Sequence, residues 1–185
     1  TLAVTGALTV SGESTLASAI VSDLTDNRVV IAGSSGAIED DANFTFDGTT
    51  LNLATTGTTS LLTLTATENS ATASPVITLK RNSASTADAD YLGRLVFQGE
   101  NDADQEVTYA RISAKILDES DGTEDGIIEF SHIKAGSQTI TSRFRSDSYQ
   151  LLNGTTLSVN GAISTDATVT ATGNITGGNI ISSGR

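Results

Sequence analysis

The chain has 185 residues, 22 of them Asp or Glu against 10 Lys or Arg, for a formal charge of -12. That excess of carboxylates speaks against a phosphate-bearing partner, since a nucleic-acid footprint needs a basic patch. Cysteine is absent, which removes disulfides and thiolate metal sites, and no apolar run approaches the roughly 18–20 residues of a membrane-spanning helix.

The remaining composition favours extended backbone: 29 Thr and 22 Ser accompany 17 Gly, with one Pro and neither Met nor Trp. Thr and Val fit strands, whereas runs of Lys, Glu and Leu that would build amphipathic helices are scarce. The expected fold is all-β, with repetitive, trimeric β shaft segments flanking a small antiparallel, sandwich-like β domain. Only eight residues are aromatic, so a chain of this kind completes its core across subunits. It begins at Thr1 without Met or a visible signal peptide, which suggests a fragment or a processed product.

Residues 1–73 form the first zone, with Arg28 as their one basic residue. Thr1-Leu-Ala-Val-Thr-Gly6 and Ala7-Leu-Thr-Val-Ser-Gly12 are one hexad written twice, with Leu2/Leu8, Val4/Val10 and Gly6/Gly12 in register. A six-residue unit with alternate apolar positions is too small to bury its own face and must stack on other copies. Leu2, Val4, Leu8 and Val10 thus call for partners around a threefold axis. Gly6 and Gly12 are expected where the backbone turns with positive φ or where three backbones approach closely. The alternative is a flexible Ser/Thr/Gly linker, which lacks regular aliphatic positions.

Residues 74–152 form the second zone and hold six of the aromatics and eight of the ten basic residues. Alternation predicts a meander of five strands at 76–80, 92–98, 107–117, 127–134 and 139–145, joined by polar loops. Ile140 and Phe144 are expected to face inward, with Arg143 and Arg145 outward; Ala110, Ile112, Ala114 and Ile116 make a second apolar face. Residues 153–185 return to the style of the first zone. Gly154-Thr-Thr-Leu-Ser-Val159 repeats Gly48-Thr-Thr-Leu-Asn-Leu53, and Ile175 and Ile180 join the positions that need partners from other copies.

Chemistry has few ingredients to work with. His132 is the sole histidine, and one His without Cys leaves neither a triad nor a metal cluster within one chain. No catalytic, cofactor-binding or metal-binding residue is therefore assigned, and no enzyme activity is expected. A threefold axis that brought three copies of His132 together would be the exception; the simpler role is a strand histidine beside Ile128 and Phe130. Asp118-Glu-Ser-Asp-Gly-Thr-Glu-Asp-Gly126 is the densest acidic run. With Gly126 as the sixth residue of an EF-hand loop, Asp121 and Asp125 fit, but Thr123 takes a ligand position and His132 falls where a bidentate Glu belongs. A looser calcium loop stays open beside a solvated hairpin turn. Asp88, Asp90, Asp102, Asp104 and Glu106 read as solvated loop residues.

Two further stretches carry a resemblance. Asp23-Leu-Thr-Asp-Asn-Arg-Val-Val-Ile-Ala-Gly33, running on through Ser34-Ser-Gly-Ala-Ile-Glu-Asp-Asp-Ala-Asn43 to Phe44-Thr-Phe-Asp-Gly-Thr-Thr-Leu51, resembles the repeated phrase of bacteriophage tail fibre and related virion appendage proteins, particularly marine ones. Pro75-Val-Ile-Thr-Leu-Lys-Arg-Asn82 with Asp90-Tyr-Leu-Gly-Arg-Leu-Val-Phe-Gln-Gly-Glu-Asn101 is similar to a domain carried by the same proteins. The resemblance implies a homotrimer outside the cell, on the virion, joined to other tail or appendage proteins and supporting host attachment. Its alternatives are a module binding a host surface glycan or receptor, and a cellular adhesin stalk.

Overall fold

The computed structural model describes residues 4–6, 9–12, 20–34, 37–166 and 168–173. It divides into two units, Thr1–Val76 and Ile77–Arg185. Among the described residues every regular element is an antiparallel strand, in one sheet of three strands and one of five. The all-β class therefore holds. No described helix is long and apolar enough to cross a membrane.

In the first unit, β1 (Arg28–Ala32), β2 (Ile38–Phe46) and β3 (Leu51–Leu53) follow one another in the order β1-β2-β3. The β2–β3 turn is set by Asp47, whose Oδ1 accepts the N–H groups of Thr49 and Thr50 at 2.9 and 2.7 Å, and by Gly48 at φ 93°. An Asp followed by a glycine that supplies positive φ closes such a turn without strain. Arg28 pairs with Asp40 at 3.0 Å, and the Thr25 N–H also donates to Asp40. These contacts hold the Asp40 carboxyl below its ordinary range, the Thr25 amide first and the Arg28 guanidinium second.

The repeated phrases fare unequally. Gly48-Thr-Thr-Leu-Asn-Leu53 makes a turn and β3, because β2 offers Phe44, Thr45 and Phe46 as ladder partners. Gly154-Thr-Thr-Leu-Ser-Val159 keeps the turn, with Gly154 at φ 73° and Thr155 N–H donating to the Leu152 carbonyl at 3.0 Å, yet 155–159 is not a strand. A strand exists only against a partner edge. Of the hexads, Leu2 and Leu8 lie outside the described residues, as do Ile175 and Ile180, while Val4 and Val10 are exposed. A Cβ added at Gly6 or Gly12 would meet nothing within 4 Å, and neither glycine has positive φ. The positive φ expected for these glycines is therefore not seen, and the other expectation, a close approach of three backbones, concerns contacts between chains.

The second unit contains β4 (Tyr91–Glu100), β5 (Glu106–Asp118), β6 (Asp125–Lys134), β7 (Ser137–Arg145) and β8 (Tyr149–Leu151), each paired with the next. Four of the five expected strands are β4 to β7. The expected strand at 76–80 is not one: its Leu79 lies against Gly93, whose added Cβ would come within 2.9 Å of the Leu79 Cβ. The fifth strand is instead β8, returned along β7 by a turn in which Arg145 N–H donates to the Ser148 carbonyl at 2.8 Å. The five strands make one sheet, not two packed layers, among the described residues.

Candidate functional site

Ladder register assigns each side chain of the five-stranded sheet to a face, because residues directly opposite share one. One face carries three rows: Gly93, Ala114, Ile128, Phe144 and Tyr149; Leu95, Ile112, Phe130, Ser142 and Leu151; Phe97, Ala110, His132 and Thr139. The other carries Arg94, Ser113, Glu129, Arg143 and Gln150, flanked by Tyr91, Lys115, Ile127 and Arg145 on one side and Val96, Arg111, Ser131 and Ile140 on the other. Ile140 and Phe144 therefore do not share a face. The ladder slips between Phe130 and Ser131, leaving Thr141 as a bulge, and the extra residue reverses the alternation.

The polar face closes on itself. Arg94 Nε donates to Ser113 Oγ at 3.1 Å and Arg143 Nε to Gln150 Oε1 at 2.7 Å. Lys115 and Arg143 each stand 3.9 Å from Glu129, and Arg94 and Lys115 lie 4.6 and 4.8 Å from the centre of the Tyr91 ring. The cationic stems cover what lies beneath them. Ser113 and Glu129 are each 3% exposed and Ile127 is 7% exposed, and these are the buried residues of the sheet. Arg143 and Arg145, expected to point into water, are thus partly buried on the better-covered face.

The apolar face is the open one. Phe130 and Phe144 meet edge to face with centroids 5.9 Å apart, and Phe144 stacks on Tyr149 at 4.5 Å. Yet Leu95, Phe97, Phe144 and Tyr149 are about half exposed, as is Ile128. His132 lies on this face as expected; its Nδ1 is 2.7 Å from Thr141 Oγ1, which also donates to the Phe130 carbonyl at 3.3 Å. The histidine is tied to the bulge.

Carboxylates gather at one end of the sheet. Asp118 closes β5 and accepts the Ser120 N–H at 2.8 Å; Asp88 accepts the Glu119 N–H at 3.1 Å. The loop before β4 is held there by Ala89 N–H to the Ile116 carbonyl and Ile116 N–H to the Asp90 carbonyl, at 3.0 and 2.9 Å. Carboxylate oxygens of Asp88, Asp118 and Glu119 lie within 4.8 Å of one another, a spacing that one hard cation could span. Hydrogen bonds from Ser120 keep the Asp118 carboxyl low, while the shared hydrogen bond with Asp88 and the nearby like charges push Glu119 up. The grouping differs from the one considered in sequence. Asp121 and Asp125 are not part of it, and Asp88 comes from another loop. An adjoining groove of about 390 Å³ includes Lys115 and Glu124 in its lining.

No family model, curated protein or solved structure matches this chain. Its function must be argued from these surfaces. Asp102 and Asp104 sit in the β4–β5 turn, where Asn101 Oδ1 accepts the N–H groups of Ala103 and Gln105 at 3.0 Å each, and they face no basic partner there. What the sequence did not reveal is the cross-strand row from Arg94 to Gln150. Its members are far apart in the chain and are aligned only by the register.

Proposed function

We propose that this chain is a segment of a homotrimeric virion appendage of the tail-fibre kind, held outside the cell and supporting host attachment through reach and rigidity. One observation carries the reading: among the described residues, Ile127 is the single buried apolar side chain. A domain that stands alone buries a contiguous set of large apolar groups. Here Leu61, Leu62 and Leu64 before the five-stranded sheet, and Leu157, Val159 and Ile163 after it, are exposed together with its apolar face. Three copies around an axis supply the missing partners with the least new sequence. The hexads and the phrases resembling appendage proteins agree with this. The groove beside Asp88 and Asp118 favours a second reading, a module that binds a host glycan or receptor.

Antibodies against residues 91–151, applied to intact particles from cells encoding the chain, test the proposal. Electron micrographs are expected to show label on particle appendages. Label on the cell envelope, with particles bare, would overturn it in favour of a cellular stalk.

A further inference from the structure

We infer that the apolar face of the five-stranded sheet is where copies of this chain meet. The inference rests on the multi-chain reading above and names the surface that reading requires. Leu95, Phe97, Ile128, Phe144 and Tyr149 are between 44% and 53% exposed. Aromatic side chains bury about 150–250 Å² each, so with Leu95 and Ile128 taken at the low end of that range, five at half exposure leave roughly 400–500 Å² of apolar surface in one patch. That is half or more of the roughly 800 Å² that each partner contributes to a standard interface. The Phe130–Phe144–Tyr149 stack already fixes its rings, so contact orders few additional rotamers.

Charge selects the occupant. Each copy carries -12 and repels the next at long range. Copies can approach closely only where no ionised group must be stripped of water. None of the three rows on the apolar face contains Asp, Glu, Lys or Arg. A partner recognised through charge would find nothing to read there. The opposite face is the reverse case: Arg94, Arg111, Lys115, Arg143 and Arg145 surround Glu129, and self-contact would bring like cations together. Arg94, Lys115 and Arg143 are also engaged within the chain, so they gain little from a second copy.

The lack of cysteine makes the test direct. Leu95→Cys and Tyr149→Cys place a thiol on the apolar face of the full chain, and Arg111→Cys places one on the other. Maleimide labelling is expected to be about tenfold slower at the first two than at the third, as for a site open about a tenth of the time. That protection should vanish on dilution, together with the multi-chain mass by light scattering. Ile128→Glu should give a single-chain mass with the β circular dichroism intact. If this variant fails to fold, the cysteine variants decide alone. Equal labelling rates in a multi-chain wild type would overturn the face assignment and leave the multi-chain reading standing. Protection that persists in a single-chain species would also overturn it, because something other than a second copy then covers the face. A single-chain wild type with open thiols would overturn the reading beneath.

Discussion

The face of the five-stranded sheet that carries Arg94, Ser113, Glu129 and Arg143 is satisfied within one chain, whereas the face that carries Leu95, Ile128, Phe144 and Tyr149 is left half open. The usual antiparallel sheet turns its polar side to water and buries its apolar side on a core. Here long cationic side chains roof the polar side, and the apolar side has no second sheet over it among the described residues of its unit, only Leu79 against Gly93. Burial seen in one chain therefore marks the side that is finished. Exposure marks the side that the proposed contact between copies would cover.

Substitution on each side should sharpen that contrast. Phe144→Ala gives the largest expected effect: about 3 kcal/mol if the ring becomes core in the assembly, as for large-to-small changes in a packed interior. If the face stays in water the loss should be under about 1 kcal/mol, and concentration-dependent thermal melts separate the two. Glu129→Gln comes next. It removes the carboxylate that Lys115 and Arg143 approach at 3.9 Å, and the loss should be about 1–3 kcal/mol, softened because both cations keep some water. Urea unfolding measures it, with Arg111→Gln as a neighbour expected to change stability by no more than about 0.5 kcal/mol.

Thr141→Val removes the hydroxyl that contacts His132 Nδ1 and the Phe130 carbonyl. The same unfolding curve should lose about 1 kcal/mol. The smallest effect lies in the three-stranded sheet. Asp40 has a folded pKa below its ordinary 3.8, so its contribution is present above that value and is lost as pH falls through the lowered folded pKa. Amide protection in β1 and β2, taken relative to the intrinsic exchange rate at each pH, should therefore fall below about pH 3.8, and Asp40→Asn should remove that pH dependence.

Much of the fold was legible in sequence, for reasons that also explain the gaps. β5, with Ala110, Ile112, Ala114 and Ile116 alternating against polar residues, announces itself. β8 is only Tyr149-Gln-Leu151, too short for any period, and exists because a tight turn lays it along β7. The segment at 76–80 has strand-like residues, yet its placement over Gly93 is decided by packing. The Thr141 bulge is invisible to alternation, which puts Ile140 and Phe144 on one side where the ladder puts them on two. Asp88 and Glu119 meet across 31 residues. No spacing rule within the acidic run could have joined them.

Sedimentation equilibrium on the unmodified chain, over a hundredfold range of concentration, tests the central claim most directly. An assembly that completes its core with other copies should sediment as three chains of 18.9 kDa and lose its folded signal only as that mass is lost. A stable, folded species of 18.9 kDa at micromolar concentration would contradict the account.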